Sequence, residues 1–180
     1  MTLRIRWIKL IYTAATGSRK VRTIMTPIVG LSYSLFATLF VIVSLLIDGW
    51  LHFPEFPQAP ANVFLSVLFI TTGLALVFWC IYNFVKAKGT PVPFNPPPRL
   101  VASGPYAFSR NPMLSGIFLL LFGLGFAFQS PALLFIFTPL FILMNVLVLK
   151  AIEEPELGMR LGKSYLDYKK RTPMFFPKLW

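Results

Sequence analysis

No charged residue interrupts the 37 positions from Met113 to Leu149. A polar cluster stands at each end of that run, Arg110-Asn111-Pro112 before it and Glu153-Glu154-Pro155 after it. A pair of membrane-crossing helices explains such a run, because in lipid each backbone polar group has to find its partner within the helix. A hairpin of that kind returns both clusters to the same side of the bilayer. Gln129-Ser130-Pro131 supplies the turn, leaving residues 113–128 and 131–149 as the two spans. The first is short, about 24 Å at 1.5 Å per residue. Pro139 falls inside the second and predicts a kink there.

Two earlier uncharged runs, 27–47 and 62–82, are each long enough to cross a hydrocarbon core of about 30 Å. Pro27 suits a first helical turn, where its missing N–H is no loss. Asp48-Gly49-Trp50 closes the first run. Trp79 and Tyr82 suit the headgroup level at the end of the second, and Cys80 reads as a small buried apolar residue. Hydrophobic residues make up 56% of the chain, above the roughly 45–50% of soluble domains. The predicted fold class is an all-α integral membrane protein, one domain over residues 1–180 with about four transmembrane helices.

Charge orients these spans. All 17 lysines and arginines fall in three segments: six before Pro27, four from Lys86 to Arg110 and seven from Lys150 onward. The connection from Leu51 to Pro60 has none. Basic residues favour the cytoplasmic side, so both termini are expected there. Residues 1–26 then form a basic N-terminal segment suited to a short interfacial helix. Residues 83–111 form a cytoplasmic loop whose six prolines, from Pro91 to Pro105, keep it from becoming a helix. Residues 150–180 form a cytoplasmic C-terminal helix and tail. Leu157, Leu161, Tyr165 and Tyr168 line one face of that amphipathic helix, with Arg160, Lys163, Asp167 and Lys170 opposite. The net charge of +11 is thereby assigned to anionic membrane lipids and orientation rather than to nucleic acid. One cysteine and one histidine allow neither an intrachain disulfide nor a Cys/His metal site, and no metal is expected.

Three of the six acids lie between Glu153 and Glu156. Carboxylates at a membrane edge need a partner, either a bound cation or a basic side chain such as Arg110. Neighbouring helical residues project about 100° apart. One glutamate is therefore free to face a ligand while the other pairs with Lys150 or Arg110. Plain structural roles fit the same residues. Asn111-Pro112 is a good helix start, Arg110 could reach headgroups, and the glutamates could stand at the N-terminus of a helix restarted by Pro155. Gly116, Gly123 and Gly125 suit close helix packing; no strand precedes them to make a dinucleotide-binding turn.

Read together, Gly104-Pro105-Tyr106, Arg110-Asn111-Pro112-Met113-Leu114-Ser115-Gly116, Glu153-Glu154 and the later Gly162-Lys163-Ser164-Tyr165, Tyr168 and Pro173 form a spaced pattern. It resembles the isoprenylcysteine carboxyl methyltransferase and phospholipid methyltransferase superfamily over about the last 90 residues. Asn111 stands where the prenylcysteine branch has histidine, and Leu114 where tyrosine is usual. The resemblance implies an integral membrane enzyme using S-adenosylmethionine. Tyr106, Arg110, Asn111, Pro112, Gly116, Glu153 and Glu154 would hold the cofactor, and Arg110 and Asn111 would stand at the reacting centre. A glutamate would take a positive group of the cofactor, with Arg110 on its carboxylate. The expected activity is methyl transfer to a lipophilic, membrane-resident acceptor at the cytoplasmic interface, where placing donor beside nucleophile supplies most of the acceleration. The alternatives are a non-enzymatic small membrane protein and a membrane reductase with a similar C-terminal region.

Overall fold

The computed structural model of the chain describes residues 3–92 and 95–175. Outside them lie residues 1 and 2, Pro93 and Phe94 of the expected proline-rich loop, and 176–180 at the end of the expected tail. Among the described residues every regular element is helical. In chain order these are α1 (Leu3–Ala15), α2 (Arg19–Leu51), α3 (Ala61–Lys86), α4 (Pro112–Ala127), α5 (Thr138–Val148), α6 (Glu154–Leu161) and α7 (Lys163–Arg171). A 3-10 turn covers Gly104–Ala107. π-helical turns cover Leu133–Phe137, just before α5, and Leu149–Glu153, which joins α5 to α6. Three stretches are long and apolar enough to cross a membrane, Lys20–Leu51, Ala61–Lys86 and Leu133–Leu161, and α4 is a shorter apolar helix.

The chain divides into two compact units. One is made of residues 33–78 and 113–144. Phe141 is fully buried there, with Phe40 at 5.3 Å and Phe36 at 5.8 Å between ring centroids. Glycines bring α3 and α4 together: a Cβ at Gly116 would stand 2.8 Å from Val77, and one at Gly123 2.6 Å from Ile70. This is the close packing that small residues permit where lipid removes any hydrophobic drive between helices. Ser130 starts the helix that follows. Its hydroxyl accepts from the Leu133 N–H at 3.0 Å, while Asp48 accepts from the Ala132 N–H at 2.9 Å and from the Ser130 hydroxyl. Asp48 is thus a capping group, beyond its role in closing the first apolar run. On the outer side of α2, Leu35, Leu39, Ile42 and Leu46 are exposed at helical spacing, a face suited to lipid.

The other unit gathers residues 1–32, 79–112 and 145–180. Here α1 packs on the π-helical turn Leu149–Glu153 and on α6. The Tyr168 hydroxyl on α7 donates to the Tyr106 carbonyl at 2.6 Å, and the Phe84 ring meets Tyr106 edge-on at 5.3 Å.

Two local expectations change, and the surroundings of Pro139 add a feature. Helix α2 begins at Arg19, so Pro27 lies inside it and not in its first turn. Apolarity marks what fits in lipid, whereas Arg19, Lys20 and Arg22 are good helix formers that extend the helix beyond it. A π-helical turn precedes Pro139, a widening that accommodates a residue lacking an N–H. The single C-terminal helix is two helices, broken at Gly162 with φ +58°. That backbone is open to glycine and strained for other residues.

Candidate functional site

The polar residues singled out in the sequence lie mostly in the second of these units. Arg110 sits between the 3-10 turn and α4, in a segment held by the chain's C-terminal stretch. Its N–H donates to the Pro173 carbonyl at 2.9 Å, and the Asn111 N–H donates to the Met174 carbonyl at 3.2 Å. The Ser109 hydroxyl and the Asn111 side-chain amide donate to the same Met174 carbonyl, at 3.0 and 3.2 Å. Tyr168 holds the segment from the other side, its hydroxyl reaching the Tyr106 and Ser109 carbonyls at 2.6 and 3.3 Å. Gly104 makes room for this arrangement. It has φ +60°, and a Cβ there would lie 2.7 Å from the Asn83 amide.

The glutamates come from the other end of the uncharged run. Glu153 closes the π-helical turn, and Glu154 opens α6 with Pro155 in its first turn; both glutamates have helical backbone, so the helix runs on through the turn and does not restart at Pro155. Glu154 is buried and pairs with Arg110, one of the two partners considered for it. Its second oxygen takes Lys169 of α7 at 2.7 Å. Lys169 had no signal in the sequence, because its pairing depends on how the chain turns at Gly162. Glu156, also buried, pairs with Arg160 one helical turn on, at 2.7 Å. Such carboxylates are tolerable away from water because each has a charged donor.

Two groups at this ion pair are candidates for holding a ligand. Arg110 Nε is buried without a hydrogen-bond partner. An orphaned guanidinium donor of this kind matches a carboxylate acceptor, the group guanidinium geometry suits best. Glu153 is half-buried and forms no ion pair with a described residue. A carboxylate so placed suits an ammonium. An amino-acid zwitterion carries both of the groups that they suit. Around them stand three phenols with raised pKa. Burial, with the Cys80 thiol next in effect, pushes Tyr106 far above the usual range, and burial also raises Tyr168 against the opposing charge of Arg110. Burial and then the Glu154 charge push Tyr165 up to about 12. All three are neutral hydroxyls near neutral pH.

Of the expected site residues, Tyr106, Arg110, Asn111, Pro112, Glu153 and Glu154 belong to this unit. Gly116 belongs to the other, packed against Val77 and Gly73. Among the described residues no group of three or more His, Cys, Asp or Glu converges.

A family model described as phospholipid methyltransferase matches residues 61–164. The chain is also similar to the nickel-cobalt-cadmium resistance protein NccN of Alcaligenes xylosoxydans xylosoxydans, 30% identical over 139 residues. That alignment covers 77% of this chain and 61% of the relative, so the chain spans about three fifths of that protein's length. No solved structure matches.

Proposed function

Because this chain belongs to the phospholipid methyltransferase family through its match over residues 61–164, we propose that it transfers a methyl group from S-adenosylmethionine to a lipophilic acceptor. The acceptor resides in the membrane and reacts at the cytoplasmic interface, as in the isoprenylcysteine carboxyl methyltransferases. One observation carries this reading: the orphaned, buried Nε of Arg110 beside the Glu153-Glu154 pair. Bound there, the cofactor supplies an electrophilic methyl group on a sulfonium.

The chain's own residues bind and orient. Arg110 holds the cofactor carboxylate through Nε, and Glu153 holds its ammonium. Glu154 fixes the guanidinium in place, with Lys169 balancing the remaining charge. Asn111, tied to Met174, lines the reacting centre, while Tyr106 and Pro112 form its buried wall. No general base is needed for a carboxylate or thiolate acceptor, which is already an anion; an amine acceptor has to arrive neutral.

In this reading α4 is a fourth span beside the three longer ones, and residues 1–180 act as one methyltransferase-like domain. The distribution of charge supports cytoplasmic termini. Every lysine and arginine of the sequence falls in the segments of the unit that carries the candidate site, and the other unit's segments hold only Asp48 and Glu55 as charged residues. The resistance named for the Alcaligenes relative is a property of that protein. The buried glutamates that converge here are paired with Arg110, Lys169 and Arg160.

The test is transfer itself. Protein in nanodiscs of native lipid is incubated with methyl-labelled S-adenosylmethionine, and the organic phase is assayed for label. Label in a lipid fraction, lost in Arg110→Ala, is expected. Folded protein that neither binds S-adenosylhomocysteine nor labels any lipid contradicts the reading.

A further inference from the structure

Helix α1 lies outside the stretch matched by the family model, yet it packs on the turn that carries the glutamates. Arg4 Nε donates to the Ala151 carbonyl at 2.8 Å, across 147 positions of sequence. The identity of that carbonyl matters. In an α-helical ladder Ala151 would accept from the N–H of residue 155, and residue 155 is proline. The helix answers the missing donor in two ways: it widens into a π-helical turn over Leu149–Glu153, and it receives a guanidinium N–H from α1.

We propose that Arg4 is a positioning residue for the cofactor site, supplying the donor that Pro155 lacks and so fixing the turn that presents Glu153 and Glu154. Its chemistry suits the task. A guanidinium N–H gives a charge-assisted bond to a carbonyl, and its planar geometry aligns the donor where a flexible ammonium would not. π-helical turns inside helices gather at functional sites, where they set side chains at angles a regular helix does not offer. Here the turn ends at Glu153, next to Glu154, and the N-terminal helix packs on it. Arg4 therefore has a role beyond that of a basic anchor. For its effect on binding, this inference rests on the glutamates being the cofactor's contacts.

A double-mutant cycle tests it on the full chain in nanodiscs. Arg4→Ala is made in the natural sequence and again with Pro155→Ala, which restores an N–H at residue 155 and suits a helix better than proline. Two readouts are taken: hydrogen exchange of the backbone amides from Leu149 to Leu157, and affinity for S-adenosylhomocysteine. In the natural background Arg4→Ala is expected to speed exchange and weaken affinity by about threefold to tenfold, the loss of one charge-assisted hydrogen bond at a partly wet site. With Pro155→Ala present it is expected to change neither. Unaltered exchange in Arg4→Ala, or the same acceleration in both backgrounds, overturns the proposal. If the natural protein binds no S-adenosylhomocysteine, the methyltransferase reading fails, and the exchange cycle still decides what Arg4 does.

Discussion

Arg110 donates through a terminal nitrogen to Glu154 and keeps Nε buried without a partner. That unmet donor is the one that the proposed contact with the cofactor's carboxylate would satisfy. Sequence alone placed Arg110 and the glutamates at matching ends of a hairpin. It could not say which glutamate would pair, since a helical projection gives angles but not partners. Glu154 is the one that pairs, between Arg110 and Lys169, and the proposal gives Glu153 to the ligand. Tyr165 offers an independent check on how dry this region is. Its phenol is raised from an ordinary 10.0 to about 12, first by burial and then by Glu154. Below the ordinary value both folded and unfolded chains keep the proton. Above it the unfolded chain ionises first, so stability falls as pH climbs through the window from 10.0 to about 12. Chemical unfolding followed across this window should show that decline, and Tyr165→Phe should lessen it, leaving the part that Tyr106 and Tyr168 contribute.

Among the elements, the α6–α7 break is the clearest departure from the sequence pattern. Leu157, Leu161, Tyr165 and Tyr168 keep one helical periodicity straight across Gly162, so nothing in the spacing announces two helices. Only the glycine hints at it, and an isolated glycine inside a periodic run has several uses. In the structure Gly162 has φ +58° and ψ −136°, a conformation that costs a side chain roughly 1–3 kcal/mol. Gly162→Ala should therefore lower thermal stability by about that amount and also weaken the Lys169–Glu154 contact, which depends on the direction of α7. A melt in detergent, with and without S-adenosylhomocysteine, reads both effects. Helix α4 shows the opposite case. Asn111-Pro112 and Gln129-Ser130-Pro131 are local signals, and the expected 113–128 falls within one residue of the observed Pro112–Ala127. Local chemistry is legible where start and stop signals sit beside the element. The reach of Arg4 to Ala151 and of Met174 to Asn111 is not, because those partners meet only through the tertiary fold.

For the whole molecule, charge and apolarity carry the argument together. Three stretches can cross a membrane, a shorter apolar helix accompanies them, and the lysines and arginines occupy the segments of a single compact unit. With an even number of spans, residues 88 and 170 should lie on the cytoplasmic side and residue 55 on the other. Cysteine replacements of Lys88, Lys170 and Glu55, made one at a time in a Cys80→Ser background, can be probed with a membrane-impermeant maleimide on intact cells. Glu55→Cys alone should label. Labelling of Lys88→Cys or Lys170→Cys before lysis would contradict the arrangement and remove the shared cytoplasmic face on which the site depends.

The central claim is that Arg110 Nε and Glu153 hold the two ends of the cofactor's amino acid. Calorimetric titration of S-adenosylhomocysteine into detergent-purified protein tests it most directly, run alongside Arg110→Lys, Glu153→Gln and Glu154→Gln. Arg110→Lys keeps the charge facing Glu154 but removes the Nε donor, so affinity should fall about tenfold or more while the fold persists. Glu153→Gln should weaken binding with little change in melting temperature. Glu154→Gln should do the reverse at first, destabilising the protein by about 3 kcal/mol as Arg110 and Lys169 lose their shared partner. Saturable binding with that pattern supports the account. Binding by Arg110→Lys and Glu153→Gln equal to that of the natural protein would contradict it.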